Sequence, residues 1–165
     1  MPKQIKKKKL PKEERTSCIL GIIVMFLSLA LSSLLILLIH QSSADKEPKA
    51  LSLAAFSAYA VFTVFCLIHF VQAVITFKKL ESYASIFTAM LTGVSLFGMF
   101  VNVQLMLALL FTAIGSEGMI TKIVGEAGMN NFMTSQSSAW TLMIAGIASA
   151  FAVGFIDTIR LSKQH

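Results

Sequence analysis

The sequence predicts an all-α fold: an integral membrane four-helix bundle with its N- and C-termini cytoplasmic. Four long apolar runs, the near absence of charge within them, and an uneven distribution of lysine and arginine between them support this prediction. Hydrophobic residues make up 56% of the 165 positions and charged residues only 13%, with a mean hydropathy of +0.77. The apolar residues come in blocks instead of recurring every third or fourth position, and a chain this short cannot hide such an excess in a water-soluble core. Lipid is the expected solvent.

A helix needs about 20 apolar residues to cross a hydrocarbon layer of roughly 30 Å. After a basic tail at 1–16, the run 17–40 contains no charged residue over 24 positions. The apolar stretch of a cleaved signal is about 7–15 residues, so this run reads as a retained anchor and first transmembrane helix. The second, 51–77, is interrupted only by His69, Gln72 and scattered hydroxyls. The third, 85–114, holds Asn102 and Gln104 as its strongly polar side chains, and the fourth, 139–159, carries Asp157 near its end. Between these last two, 115–138 reads as an outer loop. There Met119, Ile120, Ile123, Val124 and Ala127 fall opposite Glu117, Lys122 and Glu126, the pattern of a short amphipathic helix lying on a membrane surface. A short tail, 160–165, ends the chain.

Basic residues are disfavoured on the translocated side of a membrane. Lys3, Lys6, Lys7, Lys8, Lys9, Lys12 and Arg15 precede the first run, Lys78 and Lys79 follow the second, and Arg160 and Lys163 follow the fourth. The other two connections hold only Lys46, Lys49 and Lys122, offset by Asp45, Glu47, Glu117 and Glu126. Both termini are therefore expected in the cytoplasm, in a multi-pass protein of the plasma membrane. Lys6, Lys7, Lys8 and Lys9 form a cluster expected to contact an anionic inner leaflet, at about 1 kcal/mol per lysine. This placement accounts for the net charge of +6 without nucleic acid as a partner.

Close approach of helices in lipid relies on small residues repeated on one face. The expected packing positions are Gly146, Ala150 and Gly154 in the fourth helix, Ser28 and Ser32 in the first, Ala54 and Ala58 in the second, and Gly93 and Gly98 in the third. These faces suit packing within one bundle, and equally docking onto a second copy or another membrane protein.

The residues that carry chemistry are few. His69 with Gln72, and Ser95 with Asn102, mark a weakly polar path, with His69 expected to satisfy itself against Gln72 or a neighbouring helix. Asp157 and Arg160, at i and i+3, are expected to pair at the end of the fourth helix while reaching toward water. With no Asp, Glu, Lys or Arg in the inner part of any span, proton-coupled transport and voltage sensing are disfavoured. Cys18 and Cys66 make no CxxC motif, and His40 and His165 sit too far from His69 to complete a haem pair. No cofactor or metal is expected, and no catalytic group. The expected function is that of a non-enzymatic accessory, regulatory or scaffolding subunit acting through helix–helix association. The alternative is a small oligomeric channel or transporter using the path near His69 and Asn102.

Overall fold

The computed structural model describes residues 10–42, 49–114 and 117–163. Five helices follow one another: α1 (Lys12–Ser42), α2 (Lys49–Leu80), α3 (Tyr83–Val101), α4 (Val103–Ile114) and α5 (Glu117–Ser162). Four are long and apolar enough to cross a membrane: α1, α2, α3 and the Trp140–Ser162 part of α5. Around the bundle the order is α1, α2, α3, α5, each packed on its two neighbours, with α4 continuing beside α2. Lys6, Lys7, Lys8 and Lys9 lie outside the described residues.

Local chemistry sets the helix ends. Pro11, which cannot donate a backbone hydrogen bond, precedes α1, and its carbonyl accepts from Arg15 N–H at 3.0 Å. Glu13 and Glu14 stand in that first turn, where the helix dipole favours negative charge. α2 stops where Glu81 adopts φ 50, a left-handed conformation, while its N–H still donates to Phe77 O at 2.8 Å. Ser82, in extended backbone, then starts α3 directly. The α2–α3 connection is a two-residue turn.

Two elements differ from the sequence reading. The third run is divided at Asn102 (φ −95, ψ 13), whose N–H turns back to Met99 O, three residues earlier, at 3.0 Å. That shift deprives Gly98 O of its usual partner, and Asn102 Nδ2 donates to it instead at 2.7 Å. Tyr59 on α2 donates its hydroxyl to Met99 O at 2.6 Å, adding a tertiary bond at the break. The segment read as an outer loop at 115–138 is helical from Glu117 and continuous with the fourth span in α5. With no proline beyond Pro48, nothing in that backbone obliges the helix to stop. The side chains of the expected amphipathic face, Met119 to Ala127, lie outside the described residues.

Side chains are sorted inside out relative to a soluble bundle. Phe26, Ile36, Met90, Phe100, Ile144 and Phe155 face outward and exposed, whereas Ser28, His69, Thr88, Thr92, Ser95, Asn102 and Asp157 are buried. A core of Val24, Leu31, Phe62, Cys66, Leu96, Met99, Met143 and Ala150 fills the rest of the axis.

The small residues are largely consumed inside this bundle. Gly146 lies against α3, where Ser95 Oγ donates to Gly146 O at 2.7 Å. A Cβ on Gly98 would stand 2.5 Å from Leu142 O and 3.4 Å from Gly146 Cα, so α3 and α5 touch nearly backbone to backbone. Farther along α5, Ala150 is fully buried, and Gly154 meets Met25 and the Gly21 carbonyl of α1. Ser28 is buried and Ser32 half-buried, each hydroxyl bonded to its own helix. Ala54 is a correction: it is exposed and Ala58 only half-buried. The bulkier row Ala55, Tyr59, Phe62, Cys66 and His69 sets the rotation of α2 and leaves Ala54 on the outside.

Gly98→Ala is expected to destabilise the bundle by about 1–3 kcal/mol, because the displaced atom is backbone that cannot yield. Gly93→Ala, where the nearest atom would be Phe70 Cε2 at 3.6 Å, should be nearly neutral. Unfolding midpoints of both variants in mixed detergent–SDS micelles check the contrast.

Candidate functional site

One cluster gathers most of the titratable side chains of the bundle interior, near the end where α1 begins and α5 finishes. Helical spacing brings them there. Positions 59, 62, 66, 69, 73 and 76 line the buried face of α2, and 85, 88, 92, 95 and 99 that of α3. On α5 the corresponding face carries Met143, Gly146, Ala150, Val153 and Asp157.

Arg160 organises the cluster. Its Nη1 donates to Asp157 Oδ1 at 2.8 Å, and its Nη2 donates to Glu14 Oε1 of α1 at 2.5 Å and to Ser85 Oγ of α3 at 3.0 Å. Ser82 Oγ donates to the same Glu14 oxygen at 3.2 Å. One guanidinium thus ties α1, α3 and α5 together through charge-assisted bonds, the fork geometry that suits arginine better than lysine. Arg160 and Glu14 retain 12% and 17% side-chain exposure at the bundle end, while Asp157 retains none.

His69, also with no exposed side chain, reaches from α2 to two other helices. Its Nδ1 lies 2.8 Å from Thr92 Oγ1 on α3, and its Nε2 lies 3.4 Å from Asp157 Oδ2 on α5. Helices α2 and α5 are diagonal in the bundle, so these two side chains meet across its axis. Gly21 makes room on α1: a Cβ there would collide with Asp157 Oδ2 and stand 3.0 Å from its Cγ. Cys18, one turn earlier on α1, is buried beside the same carboxylate.

This arrangement corrects one expectation. Asp157 does not reach toward water; it is enclosed, because α1 extends to Lys12 and α5 to Ser162 and both cover it. The spans therefore do contain a buried acid, and the argument against proton chemistry that rested on its absence falls away. His69 Nδ1 meets Thr92 on the neighbouring α3, one of the two partner types expected for it, while the Gln72 amide lies 3.5 Å from the Glu13 carbonyl.

The other expected path residues face the interior but serve the backbone: Ser95 Oγ bonds Leu91 O and Gly146 O, and Asn102 Nδ2 bonds Gly98 O. Sequence reasoning missed Glu14, Ser85, Thr92 and Gly21 as neighbours of Asp157. The one available signal was a glycine inside an otherwise bulky apolar run at 19–27. Among the described residues, no three His, Cys, Asp or Glu side chains converge as a metal site would need. No protein-family model matches the sequence, and comparison with curated proteins and with solved structures finds no match.

Removing one partner of a buried ion pair costs about 3–5 kcal/mol, because the other charge is left uncompensated. Arg160→Ala should fall near the lower end of that range, since water reaches the outer side of the guanidinium. Lys79→Ala is the control, removing a 3.6 Å contact to Glu13 between side chains 58% and 41% exposed. It should leave the SDS unfolding midpoint unchanged, whereas an Arg160→Ala loss no larger than that of Lys79→Ala would mean the network does not hold the bundle.

Proposed function

We propose that this chain is a multi-pass plasma-membrane protein, crossing four times with both termini cytoplasmic, and that it acts as a non-enzymatic accessory, regulatory or scaffolding subunit through helix–helix association. The observation that carries this reading is the division of the side chains between interior and surface. Glu14, His69, Asp157 and Arg160 engage one another inside, and the outward surface between the bundle ends is apolar. A molecule built this way offers other membrane proteins packing surface in place of a reactive group. The small-residue strip of α5 is already occupied by α1 and α3, so association would use the outward aliphatic and aromatic side chains.

The orientation is supported by the basic residues grouped at the end that carries both termini. Lys6 to Lys9 would lie against an anionic inner leaflet. The uninterrupted run 17–40, 24 residues long and about 36 Å as a helix, suits the thicker hydrocarbon layer of a plasma membrane, about 32–33 Å. A reporter fused after His165 is expected to be cytoplasmic, and an extracellular signal would require an odd number of crossings. Purification in mild detergent should recover a stoichiometric membrane partner.

A second reading, a small oligomeric channel or transporter, is favoured by the row Ser85, Thr88, Thr92, Ser95 and Asn102. All five face the interior, from the Arg160 cluster to the break in the third crossing. Solute flux into liposomes containing the purified chain alone, abolished by His69→Ala, would select this reading over the first.

A further inference from the structure

The hydroxyl of Thr92 bears on which ring nitrogen of His69 carries a hydrogen. Thr92 Oγ1 has one hydrogen and donates it to Thr88 O at 2.8 Å. Toward His69 Nδ1, 2.8 Å away, the same oxygen must therefore accept, so Nδ1 carries a hydrogen. A neutral ring then leaves Nε2 bearing only a lone pair. That lone pair faces Asp157 Oδ2 at 3.4 Å, and both atoms are buried with no hydrogen-bond partner. Two acceptors opposed in a buried position repel each other, and each forgoes a bond worth having.

The charges, counted with the same neutral ring, agree. The groups facing this point are Glu14 and Cys18 from α1, His69 from α2, only the hydroxyls of Ser85, Thr88 and Thr92 from α3, and Asp157 and Arg160 from α5. With Cys18 as a thiol and His69 neutral, two carboxylates oppose one guanidinium, an excess of one negative charge. One added proton cancels it.

We propose that His69 Nε2 and Asp157 Oδ2 together form a proton-binding site on the axis of the bundle, near the end where α1 begins and α5 finishes. One O–H bond of a hydronium ion in the surrounding water breaks, leaving a water molecule, and a single N–H or O–H bond forms on the pair, giving either imidazolium beside carboxylate or imidazole beside carboxylic acid. No other bond changes. The two forms are one macroscopic site shared between two residues. Occupancy draws α2 and α5 together across the diagonal, and loss of the proton sets like lone pairs against each other at the same place. Proton binding is thus coupled to helix packing, whichever reading of the function above is correct.

The test uses the full chain, labelled with ¹⁵N-histidine and ¹³C-aspartate, in phosphatidylcholine vesicles. Nitrogen signals of His69 are assigned by their loss in His69→Gln, and the Asp157 carboxyl signal by its loss in Asp157→Asn. The expected result near neutral pH is one proton on the pair beyond Nδ1–H: two N–H signals for His69, or a protonated carboxyl at Asp157. Raising the pH should release that one proton per chain.

In Asp157→Asn, the side-chain amide supplies a permanent donor to Nε2. The ring should then stay in the Nδ1–H form at every pH, and the bundle should unfold later in SDS than Asp157→Ala. A His69 ring bearing hydrogen on Nδ1 alone beside an ionised Asp157 in the wild-type chain near neutral pH would overturn the proposal. So would ring signals that change when sodium replaces N-methylglucamine in the buffer, which would assign the site to a metal cation.

Discussion

The bundle depends on a single guanidinium placed between two carboxylates from opposite ends of the chain. Arg160 joins Asp157 on its own helix to Glu14 in the first turn of α1, and its second nitrogen also reaches the start of α3. Lipid gives apolar helices little reason to prefer one another over acyl chains. A charge held away from water, by contrast, tolerates only the arrangement that compensates it. The pair therefore does more to fix which helices are neighbours, and their rotation, than to add net stability.

That rotation is what the glycines make physically attainable. Gly98 and Gly146 let α3 and α5 approach backbone to backbone, Gly154 admits Met25 of α1, and Gly21 leaves space for the Asp157 carboxylate. Polar and steric requirements coincide along α5: the face bearing Gly146, Ala150 and Gly154 ends at Asp157. Substituting any one of these positions changes the distance or the phase on which the others rely.

Much of the helical architecture is legible in the sequence, because the hydropathy of a crossing is a local property read over about 20 residues. The four candidate spans follow from this. What hydropathy cannot supply is rotational phase. Ala54 and Ala58 satisfy the four-residue rule for a small face, but such pairs arise readily in an alanine-rich helix. The larger side chains at Tyr59, Phe62 and His69 decide the inward direction. Asp157 fails for a related reason. Proximity to the end of an apolar run suggests water access, yet its burial depends on how far α1 and α5 extend past that run. The break at Asn102 was equally hidden, since it depends on an amide replacing one backbone bond and on a tyrosine from another helix donating to the carbonyl beside it.

The position of the ion network along the chain also bears on how the protein is made. Glu14 and His69 are synthesised well before Asp157 and Arg160, which belong to the last turns of the last helix. Until that helix arrives, Glu14 lacks the Arg160 guanidinium and His69 Nε2 lacks the Asp157 carboxylate, while the two-residue turn at Glu81 and Ser82 joins α2 directly to α3. Completion of α5 is therefore the step that closes the structure. A chain truncated before it would keep the Glu14 carboxylate without the guanidinium that compensates it in the finished fold.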